Sequence, residues 1–323
     1  PQNRYIFVSI ADTGTLTRYL YFKNEANGEI YLNGTKDTLS NFAAEDSASY
    51  GGSYFENRGK IELNGVGSMG AVFAREYNRS WIRFENALNL NGDKSVGAAF
   101  TYNFNTNAAN GAGPTPNSGS TFDNSPVKDS VLNIKIGEKP NQSNADSNDT
   151  TIVGNTTGLV EEATALYFNN ASGAMKDYKI MNVQLDALEF ARRGTLVSLV
   201  KGKVILDGTN ATNRLNINGG SSKTGINNIA IYAGALGTPS TTQSEIENYV
   251  PLTITNSDLS TAIFGEKRAK ITNNGNITIT GSNGVKGIIV DTLAQATVGG
   301  NITMTNAGVY TDASNNKTGS VVI

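Results

Sequence analysis

An all-β chain wound as a right-handed parallel β-helix, a solenoid with one long inserted loop, is the architecture that these 323 residues predict. Three observations carry it. The phrase Asn273-Asn274-Gly275-Asn276-Ile277-Thr278-Ile279-Thr280-Gly281 returns loosely as Gly300-Asn301-Ile302-Thr303-Met304-Thr305-Asn306, and the apolar strands Gly287–Val290 and Ser320–Ile323 follow the two copies. An alternating strand, an Asn/Gly turn and a short apolar strand, repeated at roughly 25 to 33 residues, is the pattern of stacked coils. The chain also holds 35 Gly but only 7 Pro, and Asn is frequent throughout. Both Gly and Asn tolerate the left-handed backbone of tight turns, so the composition implies many sharp corners.

The N-terminal third falls into register when the strands before each corner are aligned. Tyr21-Phe22-Lys23-Asn24 leads to Gly28–Gly34, Tyr54-Phe55-Glu56-Asn57 leads to Gly59–Gly65, and Arg83-Phe84-Glu85-Asn86 leads to Ala87–Gly92. In these copies Ile30 and Leu32, Ile61 and Leu63, and Leu88 and Leu90 are two apart, which puts each pair on one face of a strand. A second strand type follows: Gly70–Ala74, Gly97–Phe100, Ala163–Phe168, Ile229–Gly234, Thr261–Gly265 and Gly287–Val290. Apolar runs this short, bounded by Gly, fit strands covered on at least one side. The first strand type continues as Lys203–Gly208, Leu215–Gly219 and Leu252–Asn256. About ten coils at about 4.8 Å each predict a rod of very roughly 50 Å.

Repeated Asn24, Asn57, Asn86 and Asn273 are expected to stack as an amide ladder between coils, and Phe22, Phe55 and Phe84 as a ring stack beside it. Two regions break the rhythm. Residues 103–157 are rich in Asn, Ser, Gly, Asp and Thr, a length that marks a functional or mobile loop, although Val131–Ile136 within it is expected to rejoin the solenoid as a strand. The second break runs from Leu39 to Tyr54. Asp186–Arg193 is ambiguous between helix and strand, its Val-rich continuation favouring another coil, and Ser244–Val250 is compatible with a helical turn ended by Pro251. The chain reads as one β-helical segment, 1–323, of something longer, interrupted by the 103–157 insertion.

Composition removes whole classes of chemistry. Cys and His are both absent, which excludes Ser-His-Asp and Cys-His nucleophiles and thiolate or imidazole metal sites. Formal net charge is −2 with scattered Lys and Arg, so no basic stripe is present for a nucleic acid. No apolar run is long enough to span a membrane as a helix. Missing cysteine fits passage through an oxidising periplasm. Neither cofactor nor metal is expected: the Asn-Asp strings of the insertion lack a calcium-loop pattern, and Gly65-Val66-Gly67-Ser68-Met69-Gly70 joins two strands rather than opening a helix.

Carboxylates are the candidates for polysaccharide cleavage: Glu161-Glu162, Asp186 with Glu189 and Arg192-Arg193, and Glu45-Asp46. None recurs with a partner at a spacing that guarantees the approach of about 5 to 9 Å glycosidases use, so solvated surface charge is the better reading. For binding, Tyr77, Arg79 and Trp81, the only Trp, form the candidate site. Trp, Tyr and Arg dominate interface energetics and aromatic faces stack on sugars, while the competing reading continues Trp81 and Ile82 into the inner stack.

The alternation of Asn-Gly-x-Ile-x-Leu/Ile-Asn/Thr-Gly with strands of the type Ser68-Met69-Gly70-Ala71-Val72-Phe73 resembles the passenger domains of monomeric (type Va) autotransporters, especially the large outer-membrane adhesins of Gram-negative anaerobes. The resemblance covers nearly the whole chain outside the insertion. It implies a secreted β-helix at the bacterial cell surface, on the extracellular face of the outer membrane, held by a barrel anchor outside this sequence. The implied function is adhesion: a stalk whose loops bind a host glycan, a protein receptor or partner bacteria, without enzymatic activity. The serine-protease module of that family would need Gly-Asp-Ser-Gly and a His, and neither is present. A polysaccharide-active β-helix enzyme and a vacuolating type of toxin passenger are the alternatives. A tandem Ig-like adhesin would repeat at roughly 100 residues, far longer than the phrase observed here.

Overall fold

The computed structural model describes residues 5–11, 20–44, 53–75, 81–100, 131–138, 158–169, 177–180, 182–235 and 237–322. They form a right-handed parallel β-helix whose coils each place short strands on up to three faces. The second face in chain order is a single nine-stranded parallel sheet. It runs from Glu29–Leu32 through Lys60–Leu63, Leu88–Leu90, Val131–Ile136, Asn182–Ala187, Arg214–Asn218, Leu252–Thr255 and Ile277–Thr280 to Ile302–Thr305. The third face runs in parallel from Tyr5–Ala11 through Thr38–Ala44, Met69–Arg75, Val96–Phe100, Thr164–Asn169, Thr195–Leu206, Ile229–Ala233 and Thr261–Gly265 to Lys286–Val290. The first face carries Leu20–Asn24, Ser53–Asn57 and Trp81–Phe84 as one sheet. Asp177–Ile180, Ser244–Asn248, Lys270–Asn273 and Gln295–Val298 resume it further along, where the second half of Thr195–Leu206 turns the corner and pairs between the first two.

Alternation decides what each strand buries. On the second face Ile61 and Leu63, Leu88 and Leu90, Ile134 and Ile136, Leu215 and Ile217, and Ile277 and Ile279 are each 0% exposed, so successive coils stack like upon like. Burying an aliphatic side chain stabilises by about 1.5 to 3 kcal/mol, which makes this column a large apolar contribution to the rod. The third face follows a different rhythm: Thr164–Asn169 buries Ala165 and Leu166 consecutively, then turns Tyr167 outward and Phe168 inward. Its inner column includes Phe100 stacked on Phe168, with ring centroids 4.7 Å apart and planes 6° from parallel.

The corners are satisfied from coil to coil. Between the second and third faces, Lys36, Lys94, Glu162, Arg193, Asn227 and Leu259 all have positive φ. Their N–H groups donate to carbonyls of the next coil, Lys36 to Val66, Lys94 to Glu161 and Glu162 to Arg192 among them. Non-glycine residues are strained there by about 1 to 2 kcal/mol each, and the repeated inter-coil bond is what holds them. At the same corner Gly65 packs against the carbonyl oxygen of Gly34, and Gly92 against that of Gly65, where any Cβ would collide with backbone.

Amide ladders are present, and the Asn24 to Asn57 step is in the register that the sequence alignment predicts. Asn24 donates to Asn57 Oδ1 at 2.8 Å, and Asn248 donates to Asn273 Oδ1 at 2.8 Å. The spacing is 33 residues in the first pair and 25 in the second, within the predicted repeat. A further ladder links Asn33, Asn64 and Asn91, with bonds of 2.9 and 3.1 Å. Asn86 is a correction: it is exposed, and Phe84 pairs in register with Asn57. The third strand therefore sits two residues earlier than the alignment put it, and Phe55 meets Ile82 instead of Phe84. Phe84, fully buried, takes the corner position that amides occupy elsewhere.

Other expectations resolve similarly. Val131–Ile136 does rejoin the solenoid, between Leu88–Leu90 and Asn182–Ala187. Asn182–Ala187 and Ala191–Arg192 are strands, so the Asp186–Arg193 segment is a coil. The Leu39–Tyr54 break is overstated, because Thr38–Ala44 and Ser53–Asn57 are strands at its two ends. Ser244–Asn248 is a strand and not a helical turn, since its alternating burial puts Ile246 and Asn248 inside. Lys203–Leu206 lies on the first face, paired with Glu245–Asn248, and does not belong with the Leu215 and Leu252 strands.

Two tests follow from this packing. Gly65→Ala should lower unfolding free energy by about 1 to 3 kcal/mol, read from urea denaturation, because backbone must shift to admit the methyl group. Asn57→Ala should cost a similar amount by removing the buried bonds from Asn24 and to the Asn86 carbonyl, while Asn86→Ala should cost under about 1 kcal/mol.

Candidate binding surface

Of the three residues singled out by sequence, Tyr77 and Arg79 lie outside the described residues. Trp81 opens the strand Trp81–Phe84 and pairs in register with Tyr54. What the described residues place beside that strand is a charged cluster. Glu56 faces Lys23 and Arg83 in the neighbouring coils, an alternation of sign down one column. Arg58 bonds Glu56 at 2.7 Å and lies 3.4 Å from Glu85, which also holds Arg83 at 2.8 Å. Next to it Lys60 donates to the Tyr31 hydroxyl at 3.0 Å and pairs with Glu62 at 2.9 Å, its Nζ 4.8 Å above the Tyr31 ring. The hydrogen bond to Tyr31, and then that to Glu62, raise the Lys60 ammonium well above its ordinary range. Opposite charges stacked at coil spacing stabilise register, as cross-strand pairs do in any sheet.

Of the carboxylates that are candidates for polysaccharide chemistry, Asp186, Glu161 and Glu162 are each held by a cation, and the partners are not those that sequence proximity suggests. Asp186, 4% exposed, takes Arg214 in a bidentate grip at 2.9 and 2.8 Å, and Asn216 donates to it at 3.1 Å. That contact raises the Arg214 guanidinium further. Arg193 bridges to Glu161 and Glu162 at the adjacent corner, and Lys94 approaches Glu162 at 3.7 Å. Glu45 and Asp46 fall outside the described residues. Among the described residues no three His, Cys, Asp or Glu side chains converge as a metal would require, and no helix is long and apolar enough to cross a membrane.

Sequence reasoning passed over a second surface, on the outer side of the third face. Tyr167, Ser198, Tyr232 and Phe264 occupy one outward column in successive coils, and the three aromatic side chains are partly exposed. Tyr232 does not stand off the sheet. It lies down along its own strand over Gly234, where a Cβ would meet its hydroxyl and Cζ, and its hydroxyl donates to Glu266 Oε1 at 2.6 Å. Burial, reinforced by that hydrogen bond, holds the phenol above its ordinary range. Phe264 sits beside it, ring centroids 5.9 Å apart and tilted by 52°. Lys267 closes the edge, 3.4 Å from Glu266 and donating to the Ala235 carbonyl at 3.2 Å. The available signal was the Tyr232-Ala233-Gly234 run: once two consecutive inward residues are allowed on this face, Tyr232 must point out.

Comparison of the chain with models of known protein families, with curated proteins and with solved structures returned no match.

The ion pairs differ in what they contribute. Arg214→Met should destabilise by about 2 to 3 kcal/mol, because it strands a buried carboxylate. Arg193→Ala, at a pair open to solvent, should cost under about 1 kcal/mol. Parallel urea titrations of the two variants check the contrast.

Proposed function

We propose that this chain is a segment of a cell-surface adhesin: a β-helical stalk that presents loops to a host glycan, a protein receptor or partner bacteria. The observation that carries the reading is the unbroken register around the insertion. Val96–Phe100 pairs directly with Thr164–Asn169, and Leu88–Leu90 pairs directly with Val131–Ile136. Both sheets thus keep their register across residues 101 to 130 and 139 to 157, because the described strands on either side pair with one another. A scaffold that keeps its ladders intact across long segments of polar sequence fits the division of labour in which rigid elements position and connecting segments bind. The pairing of Asp186, Glu161 and Glu162 with arginines accords with binding rather than turnover.

The resemblance of the repeat phrase to autotransporter passengers supports a place on the extracellular face of the outer membrane, with a membrane anchor outside this sequence. The partner contacts in this reading are to glycan or protein, with neither nucleic acid nor cofactor involved.

Loop replacement tests the proposal, provided it spares Val131–Ile136, whose removal would open the second face. Residues 103–130 and 139–157 are exchanged separately for short Gly/Ser linkers, and retention of the purified chain on host epithelial cells and on bacterial partners is measured. Retention should fall at least about tenfold for one exchange, with the thermal midpoint unchanged. Retention unaffected by either exchange would remove the loops from the binding role, and an intact chain that adheres to neither cell type would contradict the adhesin reading itself.

A further inference from the structure

The outer column of the third face has features that register alone does not explain. An outward aromatic residue on a solenoid ordinarily projects into water, free to rotate. Tyr232 is instead laid flat over Gly234 and tied at its tip to Glu266, so its orientation is fixed before any ligand arrives. Such preorganisation lowers the ordering cost of binding. The surface retained by the ring faces outward beside Phe264, and the edge is lined by the Glu266 carboxylate and the Lys267 ammonium.

We infer that Tyr167, Tyr232 and Phe264 form a stacking platform for a neutral, extended β-linked oligosaccharide lying along the solenoid axis. The inference rests on the adhesin reading and gives it a second, loop-independent site. Three properties choose this occupant. An aromatic ring takes the C–H face of a pyranose by dispersion and by contact between the partly positive C–H groups and the negative ring face. Glu266 accepts hydrogen bonds and Lys267 donates them at the ring edge, which suits hydroxyl groups, and their pairing leaves the edge without net charge, as a neutral sugar requires. The spacing also fits. Tyr167 and Tyr232 are separated by the one coil that carries Ser198, a rise of about 10 Å. That matches one disaccharide unit of an extended β-linked chain, in which alternate residues present the same face. Tyr167 and Tyr232 would then stack on sugars i and i+2, with small, polar Ser198 leaving room for the residue between.

The test uses the 323-residue chain and two probes, chitohexaose and cellohexaose, with biolayer interferometry as the readout. The intact chain should bind at least one hexasaccharide, and the corresponding disaccharide distinctly more weakly. Tyr232→Ala should reduce affinity at least about tenfold, and Tyr232→Phe, which keeps the ring but cuts its tie to Glu266, should lose affinity by a smaller factor. Gly234→Ala should also lose binding, because its methyl group displaces the ring. Tyr167→Ala should weaken the hexasaccharide but spare the disaccharide, a pattern that a general loss of folding would not produce. No binding of either hexasaccharide by the intact chain, or binding indifferent to Tyr232→Ala and Tyr167→Ala, would overturn the inference. Either result would leave the adhesin reading to stand or fall on the cell-retention measurement. Self-association through this face, seen as a dimer that Tyr232→Ala dissolves, would overturn it as well.

Discussion

Every feature of this molecule depends on the main-chain hydrogen bonds that join each coil to the next. Parallel pairing fixes the rise at about 4.8 Å, so a side chain at a given phase always meets the side chain at that phase in the coils above and below. Only groups that pack well on themselves can fill such a column. Aliphatic residues do so on the second face, from Ile61 through Leu88 and Ile134 to Leu215 and Ile277. Amides do so at the corners, where Asn24 meets Asn57 and Asn248 meets Asn273. Where an amide run stops, an apolar residue takes the position: Phe84 follows Asn57, and Leu206 and Val298 flank the Asn248–Asn273 pair. A buried amide facing an apolar neighbour loses a hydrogen bond, so the two chemistries separate into blocks.

The same constraint explains the outer surface. Charges repeated at coil spacing must alternate or be neutralised, and the Lys23, Glu56 and Arg83 column alternates. Asp186 is neutralised by Arg214 from the following coil, and Glu161 and Glu162 share Arg193. Corners carry a related cost. Lys36, Lys94 and Arg193 adopt a backbone conformation that glycine prefers, held there by bonds to the next coil, while their side chains remain in solvent.

Much of the fold was legible because its signals are local. Two-residue alternation in Ile277–Thr280 and Ile302–Thr305 and Asn/Gly corners placed the second face, and Gly-bounded apolar runs placed the third. Register was less legible. Arg83-Phe84-Glu85-Asn86 matches the Asn24 and Asn57 copies by eye, yet the coil there is shorter and Phe84 aligns with Asn57. A sequence repeat records residue type, whereas register is set by the lengths of the corners. Ser244–Asn248 was ambiguous because its polar positions alternate with only one large apolar residue, Ile246, so its burial becomes evident only once Lys203–Leu206 is beside it. Binding surface was least legible of all. Nothing in the isolated Tyr232 or Glu266 reveals that a hydrogen bond across coils joins them, because residues 34 positions apart in sequence become neighbours only through the coil register.

Stacking by phase is the claim on which the rest stands, and thiol cross-linking measures it directly, against no background because the chain has no Cys. Thr253, Thr278 and Thr303 are outward positions paired in register on successive coils of the second face. With a short thiol-specific cross-linker, the double variants Thr253→Cys with Thr278→Cys, and Thr278→Cys with Thr303→Cys, should cross-link rapidly and nearly completely. Thr253→Cys with Thr303→Cys, two coils apart, should not. Equal reactivity of all three pairs, or none in the adjacent ones, would contradict the coil register and with it the account of the fold.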